Sequence, residues 1–256
     1  MTRAPWLAVL AACGRVGFDS NAATIRDAPA GDACAAAAAL APGLVGWWKL
    51  DEGAGTLVAD SAGGNVGVLI GGTRWTTGHA GGAAVSFDGA TGHIDVAGTF
   101  VYATQNAAFS FSAWFDLQDY STTTPDLMQM KSDSTSPFHV LMSSMTGYLG
   151  LSTGSGDGAF VPTKTLMQPS TGTWHHVVMA YNGLGATTIG NFALYLDAQP
   201  QSLVAADGYA TQAEQSRIGA AENALNNWIG AIEDVRVYAR ELAASDVAAL
   251  FALPCR

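Results

Sequence analysis

The sequence predicts an all-β protein, an antiparallel two-sheet sandwich of about a dozen short strands with one short C-terminal helix. Three observations support this fold class. The 256 residues include 30 Gly together with 10 Phe, 7 Trp and 7 Tyr, which is typical of many strands joined by tight turns. From residue 43 onward, aromatic and β-branched residues occur in short runs separated by Gly, Asn, Asp, Ser and Thr. Helical patterns do not alternate with these runs.

The clearest strand is Phe109–Leu117, where apolar residues occupy every second position and would share one face of a sheet. Turn pairs such as Asp88-Gly89 and Asn182-Gly183 separate neighbouring runs. The other predicted strands are Leu44–Leu50, Val66–Ile70, Ala83–Phe87, His93–Val96, Leu127–Lys131, Phe138–Met142, Tyr148–Leu151, Trp174–Tyr181, Phe192–Leu196, Ser216–Ile218 and Ile229–Tyr238. Ser245 and Asp246 can cap the short final helix.

Composition excludes several classes of protein. The chain has 11 Lys plus Arg against 21 Asp plus Glu, a net charge of −10, which argues against nucleic acid as a partner. A hydrophobic content of 49% argues against a disordered chain. The longest apolar run, Trp6–Ala12, is far shorter than the roughly 20 residues of a membrane-spanning helix. We therefore expect contact with a membrane only through a lipid anchor.

The N-terminus has the pattern of a bacterial export signal, with Arg3 before a short apolar stretch and small residues before Cys13. Leu10-Ala11-Ala12-Cys13 resembles the lipobox of bacterial lipoproteins, which implies cleavage before Cys13 and lipidation of that residue. The alternative is an ordinary signal peptide. The predicted organisation is a signal peptide over 1–12, a lipid-anchored linker over 13–42 and one domain over 43–256. The predicted location is the outer membrane or cell surface of a bacterium.

Two further cysteines, Cys34 and Cys255, flank the predicted domain. An even number of cysteines in an exported protein favours a disulfide, and this one would tie the two ends of the domain together. Two unpaired thiols near the termini are the alternative.

Several segments occur in an order that resembles the concanavalin A-like lectin/glucanase superfamily, and more narrowly the bacterial laminin-G-like jelly-roll domains. The segments are Gly43–Thr56, Val58–Ser61, Ala84–Gly89, Phe109–Trp114, Gly172–Val178, Leu194–Asp197 and Ile229–Leu242. The resemblance implies a jelly roll whose first and last strands are neighbours. It also reveals departures from the family pattern, because Ala198 replaces a glycine that commonly follows Asp197, and Glu233 replaces an Asp before Asp234.

Many members of this family hold a structural calcium ion that links the first strand to the last. By resemblance, Asp51 and Asp234 are the candidate ligands here, with backbone oxygens nearby. The alternative is that both residues hydrogen-bond the local backbone.

Binding is a better prediction than catalysis. Jelly-roll glucanases carry paired carboxylates as Glu-x-Asp-x-x-Glu on one strand, and none of the five Glu residues begins that motif. His93 and Asp95 share a strand face, which is compatible with an acid–base pair and more typical of a surface ion pair. His175 and His176 match the structural Trp-His-His of the family.

Carbohydrates are bound by exposed aromatic rings together with polar side chains, so Tyr120 and Trp75 are the candidate ligand-binding residues. Core packing is the alternative for Trp75. The predicted function is a non-catalytic surface lipoprotein that binds carbohydrate or a glycosylated partner. A structural or adhesive protein of the envelope, which contacts other envelope or extracellular proteins without a small ligand, is the alternative.

Overall fold

The structure of the protein is a computed structural model. It describes residues 40–98, 107–119, 125–130, 138–143, 148–153, 163–185, 188–205, 215–220 and 226–253. Four predicted functional residues, Cys13, Cys34, Tyr120 and Cys255, lie outside these ranges. So do the predicted signal peptide and nearly all of the predicted linker.

The first sheet is antiparallel, and its central strands are the longest in the molecule. Its strands are β1 (Leu44–Trp48), β4 (Arg74–Thr77), β5 (Ala83–Asp88), β7 (Phe109–Leu117), β12 (Trp174–Tyr181), β13 (Phe192–Leu196), β14 (Gln199–Pro200) and β17 (Ile229–Tyr238). The strand order is β14-β13-β12-β7-β17-β5-β4, and β1 also pairs with β17. The first and last strands of the first sheet along the chain are therefore neighbours.

The second sheet packs against the first. Its strands are β2 (Leu57–Val58), β3 (Gly67–Ile70), β6 (His93–Val96), β8 (Asp126–Met130), β9 (Phe138–Ser143), β10 (Tyr148–Thr153), β11 (Thr163–Thr165), β15 (Leu203–Ala205) and β16 (Ser216–Ile218). Their order is β15-β11-β10-β9-β8-β16-β6-β3-β2. Two antiparallel sheets confirm the predicted all-β sandwich class.

The alternation of side chains builds two separate apolar clusters. Phe111, Phe115 and Val177 point between the sheets and join the main core. Val178 and Tyr238 point the other way and join an outer cluster on the far face of the first sheet.

Helix α1 (Ala244–Phe251) covers part of that far face by burying Val247 and Leu250 in the outer cluster. The helix begins one residue earlier than the predicted Ser245 cap. Asp246 accepts hydrogen bonds from the Ala243 amide at 3.0 Å and from Arg240 at 2.7 Å. Within the described ranges, no helix combines the length and apolar character needed to cross a bilayer.

The structure also contains short strands that the sequence pattern did not predict, including β4 around Trp75. The sequence predicts Trp75 as an exposed ligand-binding residue and predicts no strand at this position. It lies instead in a strand paired with β5, where Trp75 is opposite Val85. Its indole donates a hydrogen bond to the Gly55 carbonyl at 2.9 Å and packs against the main core. These contacts favour the core-packing alternative for Trp75.

Candidate functional site

The far face of the first sheet carries a row of polar and aromatic side chains beyond helix α1. Strand register places Trp114 opposite Glu233 on one side and His176 on the other. Two residues along β7, Asp116 lies between Trp174 and Ala231 in the same way. The row begins where the helix ends, since the Phe251 ring stacks on Trp114 at 5.4 Å.

A cleft of about 250 Å³ opens at the end of this row, and we call it the Trp174 cleft. Its polar lining comes from Thr76, Thr77, Ser86, Asp116 and Gln118, and its aromatic lining from Trp174 and the buried Phe87. These residues come from three regions of the chain that β4, β5, β7 and β12 bring together. An indole ring, a carboxylate, an amide and the hydroxyl-bearing Thr76 and Ser86 therefore lie along one open space.

The backbone holds the floor of this cleft firmly. The buried indole of Trp228 donates a hydrogen bond to the Asp116 backbone carbonyl at 3.2 Å, and the backbone amide of Gln118 donates to the Ile229 carbonyl at 3.0 Å. Gly230 has a φ of 134°, and a Cβ at this position would collide with the Asp116 carbonyl. A glycine is therefore required where β17 approaches the end of β7.

Asp116 is the charged group of the cleft. Its Oδ2 accepts a hydrogen bond from Gln118 Nε2 at 2.7 Å, whereas no described residue donates a hydrogen bond to its buried Oδ1. Burial raises the pKa of Asp116 above its ordinary value, against the opposing effects of Gln118, the charge of His175 and the Thr173 backbone. Asp116 is thus a carboxylate with unused acceptor capacity.

His79, in the turn between β4 and β5, adjoins the cleft. His79 pairs through Nδ1 with Glu233, and its backbone amide donates to the same carboxylate at 3.2 Å. The imidazole stacks on Trp114 at 3.7 Å and lies 6.0 Å from the Trp174 ring. These contacts fasten the β4–β5 turn over the sheet.

A second cavity of about 240 Å³ lies on the other side of this turn, lined by Lys49, Asp51, Glu233 and Asp234 with Ala80, Gly82 and Ala83. The two predicted calcium ligands therefore face one cavity. Both oxygens of Asp234 are engaged, because Arg236 donates to them at 2.9 and 3.1 Å and the Trp47 indole donates to Oδ1 at 2.7 Å.

The other histidines make hydrogen bonds within the fold. His175 bonds Asp197 through Nδ1 at 2.7 Å and Ser170 through Nε2 at 2.8 Å, and His176 bonds Ser112 at 2.9 Å.

On the second sheet, Asp95 accepts a hydrogen bond from Arg217 at 2.8 Å, and His93 Nε2 lies 3.5 Å from the same oxygen. Asp95 is therefore part of an ion pair with Arg217, and the buried His93 lies beside it.

Comparison with protein families gives one match that covers more than half of the chain. A laminin G model, described as the concanavalin A-like lectin/glucanases superfamily, matches residues 87–248. The chain belongs to the concanavalin A-like lectin/glucanases superfamily. Curated proteins provide no match to it.

Solved structures share the fold of this concanavalin A-like domain at low sequence identity. Domain 4 of AbnA, an extracellular arabinanase from Geobacillus stearothermophilus in complex with arabinotriose, matches with a TM-score of 0.58 and 18% identity, covering 81% of this chain and 97% of that one. The binding domain of Paraclostridial Mosquitocidal Protein 1 matches with a TM-score of 0.61 and 15% identity, and the match covers 83% of this chain and 52% of that one. The binding domain of botulinum neurotoxin serotype G matches with a TM-score of 0.60 and 13% identity, and the match covers 81% of this chain and 50% of that one. This chain thus spans about half the length of the two toxin domains.

The side chains that line the cavity beside Asp51 do not fit the calcium ion that the superfamily resemblance implies. Calcium requires several free oxygen ligands. Here Arg236 and Trp47 already hold the Asp234 carboxylate, His79 holds Glu233, and Lys49 adds a positive charge to the cavity wall. Within the described ranges, no group of three or more His, Cys, Asp or Glu side chains is placed to share a metal ion.

The residues of the Trp174 cleft were not predicted as a site. The available signal in the sequence was that Asp116 follows Trp114 by two residues, so both lie on the same face of β7, the face opposite its core-facing Phe residues. The other residues of the cleft could not be found from spacing, because Thr76 and Ser86 reach it through the pairing of β4 with β5 and of β5 with β17.

Proposed function

We propose that this protein is a non-catalytic surface lipoprotein whose concanavalin A-like domain binds carbohydrate, free or on a glycosylated partner, in the Trp174 cleft. The observation that carries the proposal is the cleft itself, which is lined by one indole, a carboxylate, an amide and the hydroxyl-bearing Thr76 and Ser86. An aromatic ring offers a surface to the C–H groups of a sugar ring, and the polar side chains offer hydrogen bonds to its hydroxyls.

The solved relatives support binding as the role. One structure contains arabinotriose, and the two toxin structures are described as binding domains. Their identity to this chain is at most 18%, which is too low to transfer individual binding residues. They support binding as the class of function, and the location of the site rests on the Trp174 cleft alone.

The non-catalytic part of the proposal is supported by the arrangement of the carboxylates. Most glycoside hydrolases cleave the glycosidic bond with two carboxyl groups, one on either side of that bond. Asp116 is the one carboxylate among the described residues that line the cleft, and the nearby Glu233 is paired with His79.

The anchor is a separate part of the proposal and has its own test. Cys13 follows the lipobox-like segment, and lipid on this residue would attach the protein to a bacterial outer membrane or cell surface. Expression of the full chain with Cys13→Ser should move the protein from the membrane fraction to the soluble fraction. An unchanged distribution would contradict lipid anchoring at this cysteine.

Binding is tested with a glycan array and titration calorimetry on the purified protein. We expect Trp174→Ala to weaken binding of an array glycan by about 30-fold, the effect of losing one hot-spot side chain of about 2 kcal/mol. Trp75→Phe is the matched control, because Trp75 packs on the core outside this cleft. Circular dichroism and thermal melting verify that both variants fold.

Two outcomes would contradict this assignment in different ways. If Tyr120→Ala abolishes binding and Trp174→Ala does not, the carbohydrate site lies at the predicted Tyr120 loop. If the array is blank and the protein captures an envelope protein, the structural or adhesive role replaces carbohydrate binding.

A further inference from the structure

The Trp174 cleft has a charge pattern that restricts its ligand, and this inference rests on the proposed carbohydrate function. Asp116 is the single ionisable side chain among the described lining residues, and neither Lys nor Arg lines the cleft. His175 exerts a favourable charge effect on Asp116, but its Nδ1 is bonded to Asp197 at 2.7 Å. The negative charge of the cleft is therefore left without a cation in its lining.

The hydrogen-bonding capacity of the cleft points in the same direction. A carboxylate only accepts hydrogen bonds. Asp116 accepts one from Gln118 at Oδ2, the Thr173 backbone lies close enough to lower its pKa, and no described residue donates a hydrogen bond of normal geometry to Oδ1. Because Oδ1 is buried, a ligand hydroxyl can reach Asp116 only at Oδ2, where it would donate a hydrogen bond beside the exposed Gln118 side-chain amide or in its place. A ligand carboxylate or sulfate would instead bring a second acceptor and a second negative charge to a half-buried anion.

We infer that the Trp174 cleft selects neutral sugars with adjacent hydroxyl groups and rejects sugars that carry a carboxylate or sulfate. Asp116 is the residue that sets this selectivity, and Trp174 supplies affinity that does not depend on the charge of the ligand. The net charge of −10 on the whole chain acts in the same direction at longer range.

The test uses probes that differ in charge and share a carbon skeleton. Trigalacturonic acid and its fully methyl-esterified form have the same rings and linkages, and arabinotriose serves as a second neutral probe. We expect the protein to bind arabinotriose or the methyl ester at least tenfold more tightly than trigalacturonic acid in calorimetry at low salt.

Two variants assign the selectivity to Asp116. Asp116→Asn keeps the size of the side chain and removes its charge, and it should reduce the preference for the ester over the acid to less than threefold. Gln118→Lys adds a cation beside Asp116 at an exposed position that tolerates substitution, and it should make the acid the tighter ligand. Asp119→Asn is the control, since it removes an exposed carboxylate outside the lining and should leave the preference unchanged.

The outcomes distinguish this inference from the proposed function. Equal binding of the acid and its ester by the unmodified protein overturns the selectivity while carbohydrate binding stands. A preference that survives both Asp116→Asn and Gln118→Lys also overturns it. If neither neutral probe nor any glycan on the array binds, carbohydrate binding fails and the selectivity fails with it.

Discussion

At the scale of single residues, Asp116 and Asp88 are carboxylates in opposite situations. Burial raises the pKa of Asp116. Burial would also raise the pKa of Asp88, but hydrogen bonds from the Ala90, Thr91 and Gly92 amides and the Thr91 hydroxyl hold it well below its ordinary value. Asp88 therefore stabilises the folded state as a carboxylate, whereas Asp116 is retained despite a free-energy cost, as expected for a binding residue.

We predict that Asp116→Asn raises the thermal midpoint at pH 7 by roughly 1–3 °C, a small effect because the carboxylate is partly exposed and screened by solvent. A pKa that is raised in the folded state means that the folded state binds the proton more tightly than the unfolded state does. The cost of the charged form is therefore complete above the folded pKa and disappears as pH falls towards the ordinary value of about 4. Melting curves of both proteins between pH 7 and pH 4 should converge.

Asp88→Asn provides the comparison with opposite sign. Its stabilisation is present above the ordinary pKa and lost as pH falls through the lower folded value, so this substitution should lower the midpoint at pH 7. A lower midpoint for Asp116→Asn as well would show that Asp116 has a structural role in place of a binding role.

At the scale of elements, the hairpin between β13 and β14 carries strain that the sequence predicts. The two-residue turn Asp197-Ala198 has φ values of 51° and 61°. Both residues are left-handed, as in the type I′ turn that favours glycine at its second position. Asp197 is constrained further because its carboxylate bonds the His175 ring and the His176 amide.

We predict that Ala198→Gly stabilises the protein by about 0.5–1 kcal/mol, because it removes the left-handed strain and loses only one methyl contact. Urea denaturation of both proteins measures this difference. Ala193→Gly on the same hairpin is the matched control, since it lies within β13 and should destabilise by a similar amount. Destabilisation by Ala198→Gly would show that the methyl contact with the outer cluster outweighs the strain.

At the same scale, polar and cation–π contacts among Asp234, Arg236 and Trp47 hold strands β1 and β17 together. Asp234 has a φ of 51° at an irregularity in β17 and receives Arg236 and Trp47, and the guanidinium also lies 4.4 Å from the Trp47 ring. Burial alone would lower the pKa of Arg236, but the charge and hydrogen bonds of Asp234 raise it above its ordinary value. The ion pair lies within β17, and Trp47 of β1 contacts both of its members, so these contacts join the first strand to the last, the position at which the family resemblance implies calcium.

We predict that EDTA leaves the thermal midpoint unchanged, whereas Arg236→Met lowers the unfolding free energy by about 3–5 kcal/mol by leaving Asp234 buried without its cation. The double variant Arg236→Met with Asp234→Asn should recover part of this loss. A midpoint that falls with EDTA and recovers with added calcium would restore the calcium prediction for Asp51 and Asp234.

At the scale of the whole molecule, the sequence predicts the sandwich well and the site poorly. The period-2 pattern of Phe109–Leu117 coincides with β7, because the large apolar residues at every second position face the main core, although most of the other face is buried as well. The strand at Trp75 was missed because its four residues carry no alternation of polarity and depend on pairing with β5. The Trp174 cleft depends in the same way on contacts between distant strands, which local spacing does not encode.

The predicted disulfide concerns the whole chain, because it would join the two ends of the domain. Leu40 and Leu253 pack in the same outer cluster, and Arg240 donates a hydrogen bond to the Pro42 carbonyl at 2.8 Å. Cys34 precedes Leu40 by six residues, and Cys255 follows Leu253 by two, so an extended chain of about 20 Å on one side suffices for the two sulfurs to meet.

We predict that reduction of this bridge lowers the thermal midpoint by about 10 °C. A closed loop of more than about 200 residues constrains the unfolded chain by about 4–5 kcal/mol, and strain in the folded state reduces that gain. Cys34→Ser and Cys255→Ser should each reproduce the effect of dithiothreitol and make the protein insensitive to it, while Cys13→Ser should change neither. A midpoint independent of dithiothreitol, with both thiols open to alkylation, would mean that packing around Leu40 and Leu253 holds the two ends together without a covalent link.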